Sequence, residues 1–183
     1  MASRLIPGQP HPALRFETLG HGAYDLGQGA PVGGTYLAFH RGSHCKWTRL
    51  MLKELDDRIG DFALRGIRIV AVSPESREAT AALQERMQLI RLPLGYGLDP
   101  ATVAADWGLY LTEGSREEDA PALHFEPAQA WLRQDGTLGA LAVQSGPSLW
   151  PDATNTLRAI DKTMSDFPER GAAALRPSEE EAI

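Results

Sequence analysis

One thiol and the side chains around it are the most chemically suggestive feature of the chain. Cys45 is the only cysteine, set in Phe39-His40-Arg41-Gly42-Ser43-His44-Cys45-Lys46-Trp47-Thr48. An apolar, β-favouring run, Thr35-Tyr36-Leu37-Ala38-Phe39, leads in, and a helix-patterned segment from Trp47 leads out. This spacing puts the thiol at a strand-to-helix corner, near the first turn of the helix. Unpaired backbone N–H groups and partial positive charge at a helix N-terminus favour thiolate over thiol. Arg41, Lys46 and His44 add cationic character, and such surroundings make a cysteine nucleophilic at neutral pH. The other reading of a lone cysteine is a small buried hydrophobe without chemistry.

The elements that must position Cys45 follow from periodicity. Residues 1–14 read as an extended arm, because Pro7, Pro10 and Pro12 exclude regular helix. Arg15–Leu19 and Ala23–Leu26, separated by Gly20-His21-Gly22, predict a short hairpin. From Trp47 to Arg65 the apolar residues Met51, Leu52, Leu55, Ile59 and Phe62 share one helical face, and Gly66 fits the residue past its end. Ile67–Val72 is β-branched enough for an interior strand, so strand, helix and strand make a βαβ unit with a parallel pair. A helix follows from Ser76 to Leu89, then a strand around Arg91–Leu94. A short helix is opened by Asp99-Pro100, and Thr112 to Pro121 reads as an acidic loop. Runs flanking Asp135-Gly136 predict a hairpin, and Asp152 to Phe167 a last helix. Residues 15–168 thus form one α/β domain, and 169–183 an acidic, flexible tail.

Composition removes several function classes. With 183 residues and a net charge of −6, the chain lacks the clustered Lys and Arg that a nucleic-acid surface needs. One cysteine rules out an intrachain disulfide and fits a reducing compartment. Residues Met1–Pro12 have no apolar core of signal-peptide length, and no run is long enough to cross a bilayer. A cytoplasmic protein that binds neither membrane nor nucleic acid is the expectation. His40, His44 and Cys45 are close in sequence, but they straddle a strand end and a loop, and no fourth ligand accompanies them. No metal or cofactor is expected.

The order of elements and several short motifs resemble the peroxiredoxin-like (AhpC/TSA, redoxin) family of thioredoxin folds. The cysteine segment resembles that family's Arg-Gly-x-x-Cys-x-x-Cys site. Ala71-Val72-Ser73, Gly95-Tyr96-Gly97-Leu98, Trp107-Gly108-Leu109-Tyr110, Glu126-Pro127, Arg133–Leu138 and Gly146-Pro147 fit in the right order. The resemblance implies a central mixed sheet with helices on both faces, extended by the N-terminal hairpin. It also implies that Pro127 is the proline, cis in thioredoxin folds, that lies beside the active cysteine and substrate.

Two departures stand out. Thr48 replaces the second cysteine, leaving Cys-Lys-Trp-Thr, so no disulfide can close between residues three apart. Gly42 stands where typical peroxiredoxins carry the Thr or Ser that orients the peroxide. The implied activity is that of a single-cysteine thiol peroxidase. Cys45 attacks a peroxide and an external thiol, such as glutathione or thioredoxin, recycles it. Arg41 stabilises charge at the sulfur, or is a surface ion-pair residue; Thr48 offers a hydroxyl, or is an ordinary helix residue. His44 is an acid/base or sulfur-binding group, or an exposed loop histidine, and Trp47 covers the thiol. The resemblance also implies a homodimer. A silent thioredoxin-fold binding or regulatory module, and a thiol reductase or transferase acting on a disulfide or other small substrate, remain alternatives.

Overall fold

Residues 4–114 and 116–173 are described by the computed structural model. In chain order they form β1 (Arg15–Thr18), β2 (Gly22–Asp25), β3 (Thr35–Phe39), α1 (Lys46–Ala63) and β4 (Arg68–Val72). Then come α2 (Arg77–Met87), β5 (Leu94–Tyr96), α3 (Pro100–Trp107), β6 (Leu111–Glu113) and β7 (Leu123–Phe125). The chain continues through β8 (Ala128–Leu132), β9 (Leu138–Val143) and α4 (Ala153–Ser165).

The large sheet runs β2-β1-β5-β4-β3-β8-β9. Its three central strands are parallel and its outer pairings antiparallel, giving the expected mixed sheet. Successive side chains of a strand point to opposite faces. Tyr36, Ala38, Ile69 and Ala71 therefore enter one apolar cluster with α1, α2 and α4, through Leu52, Leu83 and Leu157. Leu37, Phe39, Val70 and Val72 enter the other, with Val103 and Trp107 of α3 and Phe125 of β7. Helices cover both faces, as the β-branched run at 67–72 requires.

Caps account for the helix ends. The side chains of Ser76, Asp99 and Asp152 accept hydrogen bonds from the backbone N–H groups of Ala79, Thr102 and Asn155, satisfying donors that a first turn leaves open. Gly66 and Gly108 follow α1 and α3 at positive φ, the conformation glycine adopts without steric cost. The arm, expected to be extended, instead turns at Pro7-Gly8-Gln9, where Gln9 N–H donates to Ile6 O at 3.1 Å. Gly8 N–H donates to Leu138 O at 2.7 Å and Leu138 N–H to Gln9 O at 2.9 Å, tying it to the start of β9. Residues 174–183 of the expected tail lie outside the described residues.

Two further expectations need correction. The strand expected at 91–94 begins only at Leu94, because the buried Asp56 carboxylate takes the N–H groups of Arg91 (2.8 Å) and Leu92 (2.7 Å). Pairing then extends through Gly95, where a Cβ would lie 2.5 Å from the ring of Phe16. The loop expected at 112–121 contributes a strand at its start: β6 pairs antiparallel with β7, Leu111 opposite Phe125.

Asp56→Ala strands two amides near the core, so the loss of stability should be roughly 2 kcal/mol or more. Urea unfolding measures it, and a change within error would show that these bonds contribute little.

Candidate active site

Cys45 is the N-cap of α1, with extended backbone (φ −80°, ψ 120°) and no side-chain cap bond. Arg49 N–H is the first to donate back into the helix, to Cys45 O at 3.2 Å. The amides of Lys46, Trp47 and Thr48 thus have no intrahelical acceptor, and they give this end its partial positive charge. The expected strand-to-helix corner is present. The residue is only 3% exposed, at the base of a cleft of about 540 Å³ lined by Arg41, Ser43, His44, Lys46, Trp47 and Glu117 among others.

Arg41 is 3% exposed, and its guanidinium is shared among four groups. Nη1 lies 3.5 Å from Cys45 Sγ and donates to Glu117 Oε2 at 3.0 Å. Nη2 donates to Glu117 Oε1 at 2.8 Å and lies 3.0 Å from His124 Nε2. Nε stands 3.2 Å from Glu126 Oε2, an ion pair without hydrogen-bond alignment, since neither atom has a hydrogen-bond partner. Burial alone would discourage the charge; Glu117, Cys45 and Glu126 outweigh it and raise the arginine pKa. Hydrogen bonds from Arg41 hold the Glu117 carboxyl below the usual carboxylate range. A guanidinium only donates, so His124 Nε2 accepts and its proton sits on Nδ1, toward Pro121 O at 3.3 Å. Arg41 is a buried partner of the sulfur, not a surface ion-pair residue.

His44 departs from both of its expected roles as a cation and as an exposed loop residue. Its side chain is 1% exposed, edge-on to His124 with ring centroids 5.1 Å apart. Burial first, then His124 and Arg41, lowers its pKa to about 4. At neutral pH it therefore presents a neutral ring to the cleft. His40, fully buried at the end of β3, has neither ring nitrogen hydrogen-bonded. Burial and His44 lower its pKa to about 3.

The Cys45 loop is held by Glu75, which follows β4. Its Oε1 accepts from Ser43 N–H at 2.8 Å and from Ser43 Oγ at 2.6 Å. Gly42 has φ +120°, and a Cβ there would lie 2.9 Å from the Glu75 carboxyl. The carboxyl thus occupies the ground beside residue 42. Arg49 and Arg86 complete the loop by donating to Ser43 O at 2.8 and 3.0 Å.

The remaining expected residues separate. Trp47 is half-buried and lines the cleft, with Lys46 Nζ 5.2 Å from its ring centre; Lys46 points to solvent instead of the sulfur. Thr48 is buried with its hydroxyl unbonded and does not line the cleft. Pro127 does not line it either, and its expected cis linkage is absent: no cis peptide bond occurs among the described residues. The trans form is the lower-energy one; Pro127 O accepts Gln144 N–H at 3.0 Å, continuing the β8–β9 ladder. Glu75, Glu117, His124 and Glu126 were not singled out in the sequence. Glu126 lay inside a recognised motif, but nothing local marked it as a partner of Arg41. Among the described residues, no group of three or more His, Cys, Asp or Glu side chains could hold a metal ion, and no helix is long and apolar enough to cross a membrane.

A mixed sheet with helices on both faces and a cysteine capping the helix after a central parallel strand define a thioredoxin fold of the peroxiredoxin-like class. A family model narrows this. The description "AhpC/TSA family" matches residues 7–140, and the chain belongs to that family. A cysteine-to-serine mutant of Peroxiredoxin 6 of Arenicola marina superimposes with TM-score 0.71 and 16% identity, over 88% of this chain and 74% of that one. Peroxidoxin BcpB from Mycobacterium tuberculosis gives 0.66 and 14% over 89% and 99%. The reduced 2-Cys peroxiredoxin of Plasmodium vivax gives 0.67 and 17% over 87% and 96%. No curated sequence matches the chain.

Arg41→Met should slow alkylation of Cys45 by iodoacetamide by about tenfold, the scale of a lost charge-assisted hydrogen bond; an unchanged rate would remove Arg41 from the chemistry. Stability should also fall on acidification. His40 and His44 titrate lower in the folded than in the unfolded chain, so the unfolded state binds more protons in between. Their contribution is whole above pH 6.5 and is lost as pH drops toward about 4 for His44 and about 3 for His40. His40→Phe should flatten urea-derived stability against pH below 6 by up to about 1.4 kcal/mol per pH unit.

Proposed function

We propose that this chain is a single-cysteine, thiol-dependent peroxidase. Membership of the AhpC/TSA family supports a thiol peroxidase type of activity. The observation that carries the finer reading is the Arg41 guanidinium 3.5 Å from the only sulfur, at the free end of α1. In this reading Cys45 attacks as thiolate on the terminal oxygen of a hydroperoxide. The S–O bond forms as the O–O bond breaks, and the leaving alkoxide takes a proton from solvent, giving sulfenic acid and an alcohol or water. Arg41 stabilises the anion at the sulfur and then the charge on the departing oxygen. Trp47 supplies apolar cover at the cleft wall.

Recycling then needs two equivalents of an external thiol, glutathione or a thioredoxin. The first expels water to form a mixed disulfide; the second releases Cys45 and carries away the oxidised thiol. The one-cysteine composition supports this route and a reducing, cytoplasmic setting, and homodimers are the assembly proposed by analogy. The slight exposure of Cys45 favours the silent binding module as the second reading.

Intact-mass and peptide spectra of Cys45 after stoichiometric hydrogen peroxide separate the two. A sulfenate that becomes a mixed disulfide with glutathione, with thiol-dependent peroxide consumption lost in Cys45→Ser, is the expected result. An unmodified cysteine would leave the binding module. Reaction with disulfides but not peroxides would point to the reductase or transferase.

A further inference from the structure

The cleft beside Cys45 has its two signs of charge on different supports. Four cations line it: Arg41 from the cysteine loop, Lys46 and Arg49 from α1, and Arg86 from α2. The carboxylates that line it, Glu117, Glu118 and Asp119, are consecutive residues of the connection between β6 and β7. Glu117 grips the Arg41 fork with both oxygens, at 2.8 and 3.0 Å. The Nη1 that binds one of those oxygens is also the atom 3.5 Å from the sulfur. The guanidinium is 3% exposed, whereas the Glu117 side chain is 47% exposed. The receptor is thus fixed inside the protein, and the anion reaches it from the solvent side. A two-oxygen carboxylate on a planar fork is how arginine recognises free acids.

We propose that the Arg41 fork is a carboxylate seat which Glu117 fills in the resting protein, and that the cleft takes small carboxylate-bearing substrates that replace Glu117 beside the sulfur. This rests on Cys45 being the reacting atom, as in the function given above, and adds the class of molecule it meets. Exchange of one carboxylate for another leaves the buried guanidinium paired, so the large cost of a stranded internal charge is not incurred. The departing Glu117 side chain is already 47% exposed, so its carboxylate moves into water.

The test compares iodoacetate with iodoacetamide, which differ by a carboxylate against an amide. With either reagent, Cys45 forms a C–S bond and iodide leaves. Rates are taken on the full chain, on Glu117→Ala and Glu117→Gln, and on Arg41→Met combined with Glu117→Ala. Removing Glu117 should raise the iodoacetate-to-iodoacetamide rate ratio by about tenfold, the scale of one charge-assisted pairing. Glutamine, which keeps the size without the charge, should raise it less, and the double variant should return it to the starting value. A ratio that does not move, or that stays high without Arg41, overturns the proposal. So does failure of either reagent to label Cys45 in every variant. Peroxide plays no part in this assay. A chain inert to peroxide with a shifted ratio keeps the seat and loses the peroxidase reading; peroxide turnover with a constant ratio does the reverse.

Discussion

The site depends on one guanidinium. Arg41 is almost wholly removed from water, yet four groups divide its donors: the Cys45 sulfur, both oxygens of Glu117, His124, and Glu126 across an ion pair. A buried arginine is tolerable only with such company, and removing one partner from a buried pair costs roughly 3–5 kcal/mol. His44 is kept neutral chiefly by its burial, with His124 and then Arg41 also opposing a second cation.

Sheet register delivers this order. β3 and β8 run antiparallel with Phe39 opposite Ala128. Arg41, two residues beyond the pair in one strand, is consequently level with Glu126, two residues before it in the other. β3 and β4 are parallel, so the turns after both emerge at one end of the sheet, where ligands of open α/β sheets bind. That places Glu75, just past β4, against the cysteine loop just past β3. The first turn of α1 opens at the same end. A pairing slip of one residue would turn every side chain of the slipped strand to the wrong face and dissolve the cluster.

Much of this scaffold could be read in the sequence because its causes are local. The β-branched strand at 67–72, the helical stripe from Met51 to Phe62, the helix starts at Ser76, Asp99 and Asp152, and the Asp135-Gly136 hairpin all declare themselves within a few residues. The corner at Cys45 did so too. The charge pattern at that corner did not. Arg41 meets Glu117 across 76 positions of chain, a distance no window of periodicity spans. His44 looked cationic because its burial, which removes the charge, arises from packing with His124. β5 started late because Asp56, on a different element, claimed the amides ahead of it. Pro127 departs from the resemblance twice, with a trans linkage and a place outside the cleft.

The fit of Glu75 against Gly42 couples two positions far apart in the chain. A Cβ at 42 would lie 2.9 Å from the Glu75 carboxyl, at a φ of +120° that side chains rarely adopt, and a smaller residue at 75 leaves Ser43 without its acceptor. Both changes act on the same cysteine loop through one contact, so their costs are not independent of each other.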